Sequence, residues 1–340
     1  MSPPRLTRRR IVVVLALLGT ALLAGAAVAL SIGSASVPLP TLLRALAGAS
    51  VPPEVETILI QVRLARILLA ALTGAALACA GTAFQAVLRN PLADPYILGI
   101  SGGAAVGAIL VSLGGVAGPA WARPAAAFAG ACLTVLAILS LSRSRGVSPS
   151  TPMLLIGWIF NSFFLALILF LETAVDFSRI RGAIFWLVGT LAPERYSVLG
   201  VLAGIVATGI AALWLLARDF NLLCAGEESA RTLGCNVERT RLLGILAASL
   251  ITASVVAFGG LIGFVGLIVP HAARYLFGPD HRLLLPASAL LGATGLVLAD
   301  AVSRTLLAPT EVPVGVLTVL VGGPIFILLY RRHRGEVAID

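Results

Sequence analysis

The chain has 340 residues, 59% of them hydrophobic and only 11% charged, with a mean hydropathy of +1.03. A soluble domain carries about 25% charge, so this composition excludes one, and the long uninterrupted apolar runs exclude a barrel, whose strands would alternate. The net charge of +9 is carried by arginine without a single lysine; a Walker A loop needs lysine behind its glycines to reach nucleotide phosphates, so the chain has no such ATP site of its own.

Arg5, Arg8, Arg9 and Arg10 precede an apolar stretch from Ile11 to Leu30. The order imitates a signal peptide, but the stretch exceeds the roughly 7–15 residues of a cleavable apolar region, and it reads as a retained first span. Further spans are expected at about 58–88, 96–113, 120–141, 152–171, 197–216, 242–258, 261–277, 283–306 and 313–330. The fold class is therefore an all-α integral membrane protein with about ten transmembrane helices in a single permease domain, residues 1–340. With the N-terminus in the cytoplasm, sixteen of the 24 basic residues fall on the inner side and eight on the outer side. That bias places both termini inside.

Between the second and third spans lies "RNPLADPYILGISGG", Arg89–Gly103. Pro91 is expected to end the preceding helix by removing a donor and clashing with the turn before it. Asn90 then favours extended backbone, and Pro95 is expected at the start of the next helix, where its missing N–H is harmless. The segment reads as a rigid corner at the cytoplasmic surface.

The longest polar stretch on the inner side is Arg218–Arg241, "RDFNLLCAGEESARTLGCNVERTR". Its core, "GEESARTLG", reads as a short helix with Glu227 and Glu228 in the first turn and Gly234 as C-cap. A connector in a helical bundle needs about 2–8 residues; this one is far longer, which points to a docking surface for a cytoplasmic partner. Next comes "FGGLIGFVGLIVPHAARYLFGPDHR", Phe258–Arg282, where Gly259 and Gly260 are expected to divide two apolar helices too short for ordinary spans, and Pro270 with His271 to mark another cytoplasmic end. In "LADAVSRTLLAPTEVPVGVLTVL", Asp300 and Arg304 stand four apart and can pair on one helix face. An intramembrane charge is a functional candidate; an ion pair that only stabilises packing is the equal alternative.

Cys79, Cys132, Cys224 and Cys235 show no paired spacing, and His271, His281 and His333 are too scattered for a helix-borne zinc site. They read as packing residues, and no bound metal is expected. Clusters of His, Met or Cys for handling naked metal ions are likewise missing.

The runs "NPLADPYILGISGGAAVGA", "GEESARTLG", "GLIGFVGLIVPHAARYLFGPDHRLLLPASALLGA" and "ADAVSRTLLAPTEVPVGVLTVLVGGPIFILLY" together resemble the permease subunits of ABC importers for iron-siderophores, haem and cobalamin, over residues 11–332. The resemblance implies a vitamin B12-permease-like fold and a homodimer with a central passage. It implies two copies of a separate ATP-binding subunit, which uses ATP and Mg, while this chain binds no cofactor and catalyses nothing. A periplasmic or lipid-anchored substrate-binding protein is the implied outer partner.

Residue by residue, the resemblance assigns Leu222, Ala225, Gly226, Glu227, Glu228, Ala230, Arg231, Leu233 and Gly234 to coupling with the ATPase. Arg63, Arg66 and Arg304 match positions that meet acidic residues of the binding protein. Asn90 and Pro91, with Ser150 and Thr151, match the cytoplasmic corner and gate. "RLAR" at Arg63–Arg66 departs from relatives that have proline before the second arginine.

An ion-coupled transporter is the rival reading, with Asp300 and Glu172 as candidate proton carriers, but so thin a set makes no relay. An intramembrane enzyme is disfavoured by the lack of HExxH and GxSxG. Among ferric siderophore, haem and cobalamin the sequence does not choose. Arg179 and Arg181 either meet anionic chelates or set topology.

Overall fold

The computed structural model describes residues 6–33, 41, 44, 51–96, 98–113, 121–142, 150–173, 187–308 and 310–337. In chain order its helices are α1 (Arg8–Ser31), α2 (Pro53–Val87), α3 (Ile100–Leu113), α4 (Ala122–Leu141), α5 (Ser150–Thr173), α6 (Tyr196–Leu215), α7 (Ala217–Cys224), α8 (Glu227–Thr232), α9 (Val237–Gly259), α10 (Val265–Phe277), α11 (His281–Ser303) and α12 (Val314–Val337). Seven are long and apolar enough to cross a membrane, and α3, α10 and α12 contribute shorter apolar stretches. Among the described residues, ten apolar helices thus stand where ten spans were expected.

α2 is the axis of the bundle: 78% of its apolar window is buried, against 11% for α1 and α5. α11, α9, α10 and α6 pack around it, α3 pairs with α4, and α1 lies on α11. Small residues make this possible, because lipid supplies no hydrophobic drive for helix association and contact depends on close backbone approach. In "ALTGAALACAGTA", a Cβ at Gly74 would stand 2.1 Å from the carbonyl oxygen of Gly292 on α11, and one at Gly81 would stand 1.8 Å from that of Gly266 on α10. Both contacts require glycine. After a first α-helical turn, Pro53–Glu56, α2 runs through a π-helical stretch, Thr57–Leu64, which carries Arg63.

α10 has 13 residues, about 20 Å of helix against a hydrocarbon core of about 30 Å. Its Gly266 lies against Leu77 and Gly81, in the last third of α2. Left-handed backbone at Gly260 (φ 66) and Phe264 (φ 68) turns the chain into α10. The expectation of two short helices here is corrected: α9 is full length at 23 residues, and only α10 is short. Pro270 does not mark an end either; it lies inside α10.

The Arg89–Gly103 corner also departs from expectation. α2 stops at Val87, and its end is closed by backbone bonds from Arg89 N–H to the Ala86 carbonyl and from Asn90 N–H to the Gln85 carbonyl. That pair is the Schellman arrangement, with Arg89 in the left-handed position (φ 48) usually given to glycine. The helix therefore ends before Pro91 can act. Asn90 and Asp94 then hydrogen-bond forward, accepting from Leu92 N–H (2.9 Å) and Tyr96 N–H (2.7 Å). These side-chain turns hold the corner, and α3 starts only at Ile100, five residues after Pro95.

Candidate functional site

Arg66, near the start of the α-helical part of α2, and Arg89, just beyond its end, belong to two ionic groups at opposite ends of the molecule. The inner group contains the segment that the family resemblance assigns to coupling. α7 is amphipathic, burying Ala217, Phe220 and Leu223. Its polar side is fixed to the membrane helices: Thr240 of α9 donates to Asp219 (3.2 Å), and Asn221 donates to Asp280 (2.9 Å) while its carbonyl accepts from His281 N–H (2.9 Å). Asp280 is the N-cap of α11, accepting from Arg282 N–H. The Arg282 guanidinium bonded to it holds the Asp280 carboxyl down at about 2, against a smaller opposing effect of burial, with Asn221 adding to the depression.

α8 follows after Gly226 (φ 119) and is closed by left-handed Gly234 (φ 82), with Cys235 N–H returning to the Ala230 carbonyl. The helix and its glycine stop sit where the sequence placed them. Its residues divide into two sets. Ala225, Glu228, Arg231, Leu233 and Gly234 are exposed, with Leu233 63% accessible; Leu222, Gly226 and Glu227 are half-buried, and Ala230 is fully buried. Glu227 faces inward. Its Oε1 accepts from Arg241 of α9 (2.6 Å) and from Arg89 at the end of α2 (3.2 Å). Nothing in the spacing of "GEESARTLG" foretold that contact, because Arg89 is 138 residues away in sequence.

The outer group gathers all three arginines assigned to docking. Arg66 binds Asp300 of α11 (2.9 Å) and Glu311 (2.7 Å), and Arg304 binds Asp300 (3.1 Å). The Asp300–Arg304 pairing is as expected from their spacing, but Arg66 makes it a three-way contact. Arg63 donates to the Leu30 carbonyl (2.7 Å) and Arg304 to that of Ala29 (3.2 Å), so two guanidiniums satisfy carbonyls left open at the C-terminus of α1 and complement its negative dipole end. Arg63, Arg66 and Arg304 are only 3%, 8% and 4% exposed. In this conformation they are internal ties rather than a presented surface. Asp300, the proton-carrier candidate of the rival reading, is held between two arginines. Glu311 was missed from sequence; its side chain is the accessible member of the group, 44% exposed.

Between the corner, the 260–264 turn and α12 lies a largely apolar cavity of about 610 Å³, bordered by Asp94, Tyr96, Phe264, Leu267, Val316 and Val319. Gln85 pins its floor, donating to the Gly266 and Leu267 carbonyls and accepting from Arg274. Ser150 and Thr151 are the first residues of α5, with side chains outside the described set, as is that of Glu172; Arg179 and Arg181 lie outside the described residues altogether.

Known proteins with this pattern were found by sequence and by shape. The chain is 43% identical to the cobalamin import system permease protein BtuC of Halobacterium salinarum, over 90% of this chain and 83% of that one. It is 40% identical to the hemin transport system permease protein HmuU of Yersinia pestis, over 91% and 94%. A solved structure described as an inward-facing conformation of a metal-chelate type ABC transporter superposes with a TM-score of 0.84 at 32% identity, covering 94% of this chain and 98% of that one. Residues 18–332 match the FecCD transport family, and with the ten-helix bundle and its glycine-dependent core in place, the chain belongs to that family of membrane permeases.

Proposed function

We propose that this chain is the transmembrane permease subunit of a binding-protein-dependent ABC importer in the inner membrane, and that it carries a metal chelate. It works as a homodimer with two separate ATP-hydrolysing subunits, which use ATP and Mg, and with a periplasmic or lipid-anchored substrate-binding protein. The observation that carries the reading is the inner segment Ala217–Gly234: two short helices fastened to α9, α11 and the end of α2, with Glu228, Arg231 and Leu233 left exposed. A chain without a Walker A lysine has no such nucleotide site of its own, and this surface offers an ATP-hydrolysing partner a grip.

The corner at Asn90 and Pro91, with Ser150 and Thr151 at the start of α5, borders the inner gate. The cargo is a ferric siderophore or haem, with cobalamin close behind; relatives named for hemin and cobalamin support this class. Docking at Arg63, Arg66 and Arg304 operates by exchange. A carboxylate of the binding protein replaces the accessible Glu311 on Arg66, and such pairing orients docking more than it adds affinity.

The test is uptake into proteoliposomes that contain the permease, its ATPase and its binding protein, with ferric siderophore, haem and cobalamin supplied in turn. ATP-dependent uptake of one of them is expected. Uptake that proceeds without the ATPase subunits overturns the reading.

A further inference from the structure

The inner ionic group contains a feature that docking alone does not explain. Arg89 occupies a left-handed position at the C-terminal cap of α2 (φ 48), where a side chain is strained and glycine is the favoured residue. Strain of this kind persists where surrounding structure holds it, and it concentrates at working sites. The backbone bonds of the cap hold Arg89 in place, and its side chain reaches Glu227, the first residue of α8, whose Oε1 also takes Arg241 of α9 at 2.6 Å. One carboxylate oxygen therefore joins three elements: the surface helix α8, the end of the central helix α2, and the start of α9.

The rest of the attachment of α8 is slight. Ala230 is its buried residue, and the Arg231–Glu238 ion pair is exposed on both sides, at 56% and 70%, where water and salt weaken it. The Glu227–Arg241 pair is better shielded, at 21% and 10% exposure, and Arg89, 38% exposed, reaches the same oxygen from the water side.

We propose that Glu227 is a positioning residue of the transport cycle: through Arg89 and Arg241 it carries displacement of α8 into the inner ends of α2 and α9, and so into the corner that borders the 610 Å³ cavity. The proposal rests on the importer reading above. Glu228, Arg231 and Leu233 face the ATPase, while Glu227 faces the permease's own helices. Rigid elements joined by an ionic contact transmit motion when the contact is kept through the cycle; when it is cut, the surface helix moves and the gate does not follow.

The experiment uses the complete complex in proteoliposomes and measures chelate uptake and ATP hydrolysis together, with ATPase retention on affinity-purified permease as a check of assembly. ATP-dependent uptake by the wild type secures the importer reading first. Against that baseline, Glu227→Gln and Arg89→Gly should retain the ATPase and hydrolyse ATP, but take up about tenfold less chelate per ATP, the size of an ordinary coupling between sites. Arg89→Gly separates the tie from folding, because glycine is the preferred residue at that backbone position and the variant should be at least as stable as the wild type. Glu227→Asp should recover part of the ratio, and Glu238→Gln, which cuts only the exposed pair, should leave it unchanged.

If Glu227→Gln and Arg89→Gly transport at the wild-type ratio, the tie is refuted and the importer reading stands. If they shed the ATPase instead, Glu227 belongs to the docking surface and the proposal fails.

Discussion

The two ionic groups at the ends of α2 use the same residue types for different ends. The outer one buries three guanidiniums against Asp300, Glu311 and the last carbonyls of α1. It sits among long helices that already pack closely, and it settles how the ends of α1, α2 and α11 meet. The inner one places a single carboxylate between two arginines, partly open to water, and joins a six-residue helix to the bundle. Charge removed from water without a partner is very costly, whereas charge at a surface loses little when its partner goes. Cutting the outer group at Asp300 is therefore expected to cost more stability than cutting the inner one at Glu227.

That contrast can be broken at several points. Asp300→Ala should have the largest effect, because it strands Arg66 and Arg304 in the interior; a loss of about 3–5 kcal/mol is expected for cutting a buried pair, read as a collapse of the melting temperature and yield in detergent. A melting temperature within error of wild type would refute the structural role assigned to the outer group. Glu227→Ala should lower stability by only about 1 kcal/mol, as for a partly solvated hydrogen-bonded pair, while its effect on coupling is far greater.

Asp280→Ala removes the α11 cap and should cost about 1 kcal/mol. Its contribution has a defined pH window. The carboxyl is held at about 2, below its ordinary value near 3.8, so its stabilisation is present above the unfolded value and is lost as pH falls through 2. The melting difference between wild type and Asp280→Asn should accordingly narrow as pH falls from 4 and vanish only below pH 2; a gap that stays undiminished below pH 2 would contradict the assigned cause. Glu311→Gln should be the mildest, at or below about 1 kcal/mol for an accessible partner. Its expected signature lies elsewhere: weaker competition for Arg66 and a higher affinity for the binding protein, measured by surface plasmon resonance.

Much of this architecture was legible from the chain, because a bilayer leaves few options. Backbone groups in lipid must bond within their own helix, so apolar length alone located seven long helices and three shorter apolar ones among the described residues. The α8 helix with its glycine stop followed from local rules of the same kind. The corner resisted prediction, since Pro91 was credited with an ending that Arg89 and Asn90 had already made through backbone bonds. Both Asx turns after it, at Asn90 and Asp94, delayed α3 for reasons that proline statistics do not contain.

Solvation of helical segments is a property of composition, and the sequence by itself therefore determined that this protein threads a membrane. Only tertiary structure decided which charges meet. Arg66 finds Asp300 across 234 residues and Arg89 finds Glu227 across 138. The reason is that ionic partners in a helical bundle are selected by depth and by the face each helix presents after packing, and those are set by contacts such as Gly74 on Gly292 that no local pattern encodes.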